Sequence, residues 1–344
     1  LFDGGNSDKN YVKGDTYYGS GSPLEQQASW KKLSNSLRMM MAMRLSKVYP
    51  GSGEYAALEF ADAVNDAAGF ITDNAENLVI NYPGAAFQHP WYVIYNGRSD
   101  YAYSKTLSDL LNNMTDNRRS AYGGSGSAFP YGLTRDIATN LPTNYAKVLA
   151  ADYQAQNASM VMVSAALSLL TVAEGIERGW VASAPGYATA KDAYDAAIMQ
   201  SFAQWGLSGA STVINGNGDY DSGTGGGNNL GSNSNSSVIG QHAVTTTKLE
   251  RIFLQRYIAN YPNGINAWAD WRRSCAIGTP AQRTDAAGMP ALAPTTFATN
   301  SNFGIPRRFV YGPTEQSANP TGLAAAVARL TLGDKPYERV WWDK

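Results

Sequence analysis

One cysteine, Cys275, and two histidines, His89 and His242, are all that 344 residues offer of the side chains that most often ligate metals or serve as nucleophile and base. A single cysteine excludes an intrachain disulfide and a cysteine-based metal cluster. The histidines lie far apart in sequence, and a surface or packed position is the ordinary expectation for each. Charge is scarce too. Asp, Glu, Lys and Arg make up 16% of the chain and the net charge is -1, so no excess of Lys and Arg is available to neutralise nucleic-acid phosphates. The longest apolar run, Met160 to Ala173, carries Ser164, Ser168 and Thr171 and is too short to cross a bilayer. No secretory leader precedes Leu1-Phe2-Asp3-Gly4-Gly5, which suits a mature or trimmed piece of something longer. No G-x-S-x-G elbow and no His-Glu-x-x-His helix occurs. Gly123-Gly124-Ser125-Gly126 and Gly225-Gly226-Gly227 lack the Lys-Ser/Thr of a phosphate loop and read as flexible loops. Carboxylates are present, so a glycosidase pair stays open, but nothing marks two of them as facing one cleft.

What is present is apolar and aromatic: 44% hydrophobic residues, with 21 Tyr and 8 Trp. Helical periodicity predicts an all-α chain. Ser22-Pro23-Leu24-Glu25 is a capping box with proline at the first helical position, opening a helix to about Val48 that turns Leu33, Leu37, Met40, Met41, Arg44, Leu45 and Val48 toward one face. A partner spans Glu54 to Ala67, with Ala57, Ala61, Val64 and Ala68 inward. Trp30, Leu33, Ser34 and Leu37 match the start of a tetratricopeptide-type helix pair. Ser104 to Met114 reads as a short helix. Lys147 to Arg178 and Ala188 to Trp205 read as a second hairpin. Val244 to Ser274 reads as a third, stopped in its middle by Tyr261-Pro262-Asn263-Gly264, with Ile265, Trp268 and Trp271 sharing a face. A short helix is expected at Leu323 to Arg329, an extended stretch at 276–303, and a tail ending Trp341-Trp342 tied down against the body. Arg272, Arg273, Arg307 and Arg308 are expected to bridge carboxylates such as Asp270 and Glu315.

Several blocks together resemble the SusD/RagB-type nutrient-binding outer-membrane lipoproteins of Bacteroidetes. They are Trp30 to Arg38 with Ala42 to Ser46; Asn96-Gly97-Arg98-Ser99-Asp100-Tyr101 with Ser104 to Leu107; Tyr261-Pro262-Asn263-Gly264 with Ala267-Trp268-Ala269-Asp270-Trp271-Arg272-Arg273; and Pro306-Arg307-Arg308, Glu315-Gln316 and Asn319-Pro320 with the Val340 to Lys344 end. The resemblance implies one SusD-like helical domain over 1–344, built on tetratricopeptide-like helix pairs, with loop insertions at about 70–103, 116–142 and 206–240. It implies a non-catalytic protein without cofactor, lipid-anchored on the outer-membrane surface. Such a protein partners a SusC-like TonB-dependent transporter and captures glycans, or in some members peptides, for uptake. Family members begin with a signal peptide and a lipobox cysteine. The chain therefore resembles the later part of a member, its anchor and first helices lying outside it.

A ligand is then sought in the loops. A sugar offers an apolar C–H face to a flat ring and hydroxyl edges to Asn, Asp or Arg. Trp91, Tyr92, Tyr95, Asn96 and Arg98 give that mixture in one loop. Tyr122, Phe129 and Tyr131, and Asp219-Tyr220-Asp221, are second candidates. The plainer expectation, that these rings pack loops onto helices, stands beside it. Asn217 to Gly223 alternates oxygen side chains like the start of a calcium loop, but its glycine falls one place late and Asn228 stands where a glutamate should close it. A solvated turn is the expectation, and no metal site is assigned. Peptide cargo, a glycoside hydrolase and a protein-binding helical scaffold are the alternatives.

Overall fold

Ser22-Pro23-Leu24-Glu25 starts the first helix. The Ser22 hydroxyl accepts the Glu25 N–H and the Glu25 carboxylate accepts the Ser22 N–H at 2.7 Å, which satisfies two groups the helix leaves unpaired. The computed structural model describes residues 14–130, 136, 139–222, 247–273, 308–336 and 338–341. The first helix, α1, runs Pro23–Arg44, and α2 follows at Tyr55–Val64. Strand β1 is Leu78–Asn81, and α3 (Pro90–Ile94), α4 (Lys105–Asn113) and α5 (Arg119–Tyr122) come next. Strand β2, Ser159–Val163, pairs antiparallel with β1 and leads into α6, Ala165–Glu177. Then come α7 (Ala190–Gln204), α8 (Ala210–Ile214), α9 (Lys248–Ala259) and α10 (Gly264–Arg273), and finally α11 (Pro313–Ala318) and α12 (Pro320–Val327). The capping box recurs at Thr189/Asp192 for α7 and at Thr247/Glu250 for α9.

Helix α6 is the axis of the body. Every residue from Ala165 to Gly175 is buried, because α7, α9, α1 and α2 all pack on it. Small side chains let those neighbours approach: Ala56, Ala57 and Ala63 on α2, and Ala190, Ala193 and Ala197 on α7, are all buried. Gly175 is the tightest point, where an added Cβ would lie 2.2 Å from Phe60 Cζ. The helix ends on Gly179, whose φ of +69° is the left-handed conformation that closes a helix, and the Trp180 N–H returns to the Gly175 carbonyl at 3.0 Å.

Ion pairs lock α6 to α9 and α10. Glu174, fully buried, receives both ends of the Arg273 guanidinium and also the Arg178 Nε at 2.9 Å. Asp270 receives Arg256 Nη2 at 3.1 Å, Asn260 Nδ2 at 3.1 Å and Arg273 Nη2 at 3.5 Å. Burial alone would raise the Glu174 pKa, but the Arg273 and Arg178 charges outweigh it and hold the group at about 2. A second buried pair, Asp116 with Arg118, reaches Ser201 on α7 and Gln255 on α9 at 2.9 and 2.7 Å. It clamps the chain after α4 onto the same body.

The structure departs from the periodicity at several points. The long helix expected from Lys147 begins only at Ala165. A turn at Ala151–Gln154 and the strand β2 precede it. Val163, Val161, Met160 and Ser159 pair with Leu78, Val79, Ile80 and Asn81 in turn, Met162 falling at a register shift, inside a stretch expected to be irregular. The Ser164 hydroxyl then caps the helix by accepting the Leu167 N–H. Helix α1 ends at Arg44. Its buried face is Leu33, Ser36, Met39, Ala42 and Met43, so Leu37 and Met41 are exposed. On α10 only Trp271 of the expected face is buried. Ile265 is 84% exposed and Trp268 stacks on Trp271 from outside. Trp341, expected to dock, is 71% exposed. Arg273 does bridge Asp270, whereas Arg308 pairs with Asp334 at 2.7 Å, and the Glu315 carboxylate accepts from the Asn319 amide. Residues 276–303, Arg307 and Trp342 lie outside the described residues.

Two stability predictions follow from α6. Glu174→Gln leaves Arg273 and Arg178 without their carboxylate, and is expected to cost about 3–5 kcal/mol, read from the urea midpoint. Below its ordinary 4.5, the unfolded chain's Glu174 takes a proton that the folded one refuses until about 2. Its contribution is therefore complete above that ordinary value and lost as pH falls through the lower one. A midpoint unaffected by acid across that window, or an equal acid response in Glu174→Gln, would contradict this assignment. Gly175→Ala should lower stability by about 1–3 kcal/mol through the clash with Phe60, and a melting temperature equal to wild type would show that the ring gives way freely.

Candidate functional site

The loop before α4 is organised by one turn of helix. Pro90 takes the first position of α3, and the His89 side chain caps it, Nδ1 accepting the Trp91 N–H at 3.2 Å. His89 is buried, and burial lowers its pKa. Three-residue spacing then puts Tyr92 and Tyr95 on one side. Trp91, four residues before Tyr95, stacks on it with centroids 6.2 Å apart, and meets Tyr101 edge-on.

Tyr95 is held at its far end. Its hydroxyl accepts the Val148 N–H at 2.7 Å and donates to the Tyr101 carbonyl at 3.2 Å. Burial raises its pKa, so the hydroxyl keeps its proton. The Lys147 ammonium sits 4.8 Å from the Tyr95 ring centroid. Across from these rings runs the turn Ala151–Gln154. Together Tyr92, Tyr95, Asn96, Lys147 and Gln154, with small Gly97, Ala151 and Ala155 between them, line an open groove of about 340 Å³. The Gln154 Oε1 is buried and has no hydrogen-bond partner. The groove thus offers ring faces, amides and one cation. Among the described residues no carboxylate lines it.

The other sequence candidates fall elsewhere. Trp91 is half-buried and packs on the core, supporting Tyr95 rather than lining the groove. Arg98 is exposed outside the groove and pairs with Asp100. Tyr122 is a core residue: it is fully buried, stacked on Tyr261 at 4.3 Å, and its hydroxyl donates to the Ile258 carbonyl. Tyr220 is buried too, donating to the Glu177 carboxylate at 2.5 Å. Burial removes both rings from any ligand surface in this structure. Asp219 turns inward on its own loop, its Oδ1 accepting the Asp221 and Ser222 N–H groups, while Asp221 pairs with Lys248 at 3.3 Å. Phe129 meets Tyr145 edge-on. Among the described residues no group of three or more His, Cys, Asp and Glu is placed to hold a metal ion. Tyr131, His242 and Cys275 lie outside the described residues.

Lys147 and Gln154 belong to the groove and were not singled out in the sequence. Both fell inside the helix expected from Lys147 onward. The polar run Asp152 to Asn157, which interrupts the apolar period, was the signal that the chain is a turn there.

No curated protein matches the chain. Solved structures do. A SusD homologue from Bacteroides uniformis superposes with a TM-score of 0.69 at 24% identity, covering 96% of this chain and 67% of its own. A SusD-like protein from Bacteroides thetaiotaomicron gives 0.69 at 24%, covering 98% and 67%. A chitin-binding SusD homologue from Flavobacterium johnsoniae gives 0.63 at 23%, covering 93% and 64%. At these identities the likeness speaks to the fold, a mostly helical one with tetratricopeptide-like pairs, and the chain spans about two thirds of the length of these relatives. The sequence profile described as "Susd and RagB outer membrane lipoprotein" matches residues 4–343, and over that span the chain belongs to the SusD-like family.

Proposed function

We propose that this protein is a non-catalytic glycan receptor that binds neutral oligosaccharides in the groove between α3 and the Ala151–Gln154 turn. The observation that carries this reading is Tyr95. A ring packed on Trp91, and tied through its hydroxyl to Val148 and Tyr101, is a fixed platform in the wall of the groove. A sugar face stacks on such a ring, and its hydroxyls meet Asn96, Lys147 and Gln154. Glycoside hydrolysis needs two carboxylates flanking the scissile bond, and the described lining of the groove supplies none. The chitin-binding character of the Flavobacterium johnsoniae homologue supports a saccharide ligand in this fold. The family description, an outer membrane lipoprotein, supports placement at the outer membrane. The fuller reading is a lipid-anchored, surface-exposed receptor that hands its cargo to a SusC-like TonB-dependent transporter.

Calorimetry with a panel of neutral oligosaccharides, chitooligosaccharides included, tests the reading. Tyr92→Ala, at an exposed position that leaves the core intact, is expected to weaken binding about tenfold, or about 1.4 kcal/mol. Lys147→Ala should weaken it as well. Binding of peptides but of no saccharide would reassign the cargo. Release of reducing ends, abolished by one Asp or Glu substitution, would make the protein an enzyme and end the proposal.

A further inference from the structure

One charge stands in the groove, and no described carboxylate answers it. Lys147 is the sole lysine or arginine among the described lining residues, and that lining holds no Asp or Glu. Its ammonium makes one contact with the described residues, over the Tyr95 ring at 4.8 Å from the centroid. Charges on the flanking segments face elsewhere. Asp152, on the same turn as Ala151 and Gln154, lines a different cavity, beside β2. Arg98 and Asp100 pair with each other outside the groove.

The backbone under Lys147 is fixed. The Ala146 carbonyl accepts the Tyr103 N–H at 2.8 Å, and the Ala146 N–H donates to the Ser127 carbonyl at 2.8 Å. The Val148 N–H donates to the Tyr95 hydroxyl at 2.7 Å. Ala146 and Val148 are buried, so the exposed side chain between them is set outward beside the ring. A guest on the Tyr95 ring therefore lies against an ammonium whose charge nothing in the described lining offsets.

Sugars of one skeleton come in two charge states. A hydroxyl or acetamido substituent is neutral, and its oxygen accepts a hydrogen bond from an ammonium. A free amino substituent is a cation below the ordinary amine pKa. Like the lysine, it then has donors and no acceptor, so the two groups cannot bond and repel each other. Two unit charges roughly 6 Å apart at a protein surface repel by enough to change an affinity about tenfold. Specific sites use such repulsion against the wrong partner as well as attraction to the right one.

We propose that Lys147 sets the charge specificity of the groove: it admits saccharides with hydroxyl or acetamido substituents and turns away those with free amines. The inference rests on the reading that the groove binds saccharides, and it adds which of them are refused.

The test is calorimetry of the whole chain with three tetramers of one β-linked glucose skeleton. They are cellotetraose, with hydroxyls, N-acetylated chitotetraose, and the fully deacetylated form, with amines. Where another neutral oligosaccharide is the binder, that sugar and its amino-deoxy form take their place. At about pH 5.5, where free amines are protonated, wild type is expected to bind the cationic tetramer about tenfold more weakly than the neutral ones. Lys147→Gln keeps a donor and removes the charge. It should bring that ratio close to one, whatever it does to neutral binding itself. Salt at about 1 M shortens the screening length to about 3 Å and should close most of the gap in wild type. Equal binding of cationic and neutral forms by wild type, or a ratio that Lys147→Gln leaves unchanged, overturns the selection and leaves the receptor reading standing. Failure of every neutral saccharide to bind refutes that reading, and the selection with it.

Discussion

The buried carboxylate of Glu174 is the constraint on which the body depends. It sits on α6, the helix on which α1, α2, α7 and α9 pack, and it is held there by arginines from two directions. A carboxylate in that position is tolerable only while those guanidiniums are in place. The geometry of α10 is therefore imposed on α6 by charge, while α7 and α2 are fitted to α6 by small side chains. Asp270 extends the same arrangement. It gathers Arg256, Arg273 and Asn260.

The candidate groove is built on that body from short pieces. A single helical turn, a turn of 3-10 helix and a lysine between them could not hold a site in isolation. They keep the groove's shape here because Val148 and Leu149 are anchored in the core and Tyr261 reaches back to the Val148 carbonyl. The Tyr261-Pro262-Asn263-Gly264 turn, which has no chemistry of its own, thereby fixes the strip of backbone that Tyr95 binds.

The helices were legible because their ends carry local instructions. Ser22/Glu25 and Thr189/Asp192 place the starts of their helices within a residue or two, and the blocks around Asn96 and Trp268 resemble the family whose profile matches. What periodicity missed was decided by partners distant in sequence. Met160 to Val163 continue the apolar run of α6 but form a strand because Leu78 to Asn81 lies alongside. Tyr122 and Tyr220 have the wording of loop aromatics, but Tyr261 and Tyr194 stack or tilt against them and seal them in the core. Within the loop that was singled out, Tyr92, Tyr95 and Asn96 come together. Trp91 stacks on Tyr95 without lining the groove and Arg98 lies outside it, since the direction of a side chain around a single turn depends on where that turn is docked.

The double tether of the Tyr95 hydroxyl bears on the kinetics of whatever rests on the ring. A side chain already pinned by Val148 and Tyr101 surrenders almost no rotational freedom when a guest arrives, so the platform adds no ordering cost to the bound state. Ligands that lie flat and ligands that do not will meet the same unyielding surface at similar rates. The difference between them will be how long each one stays.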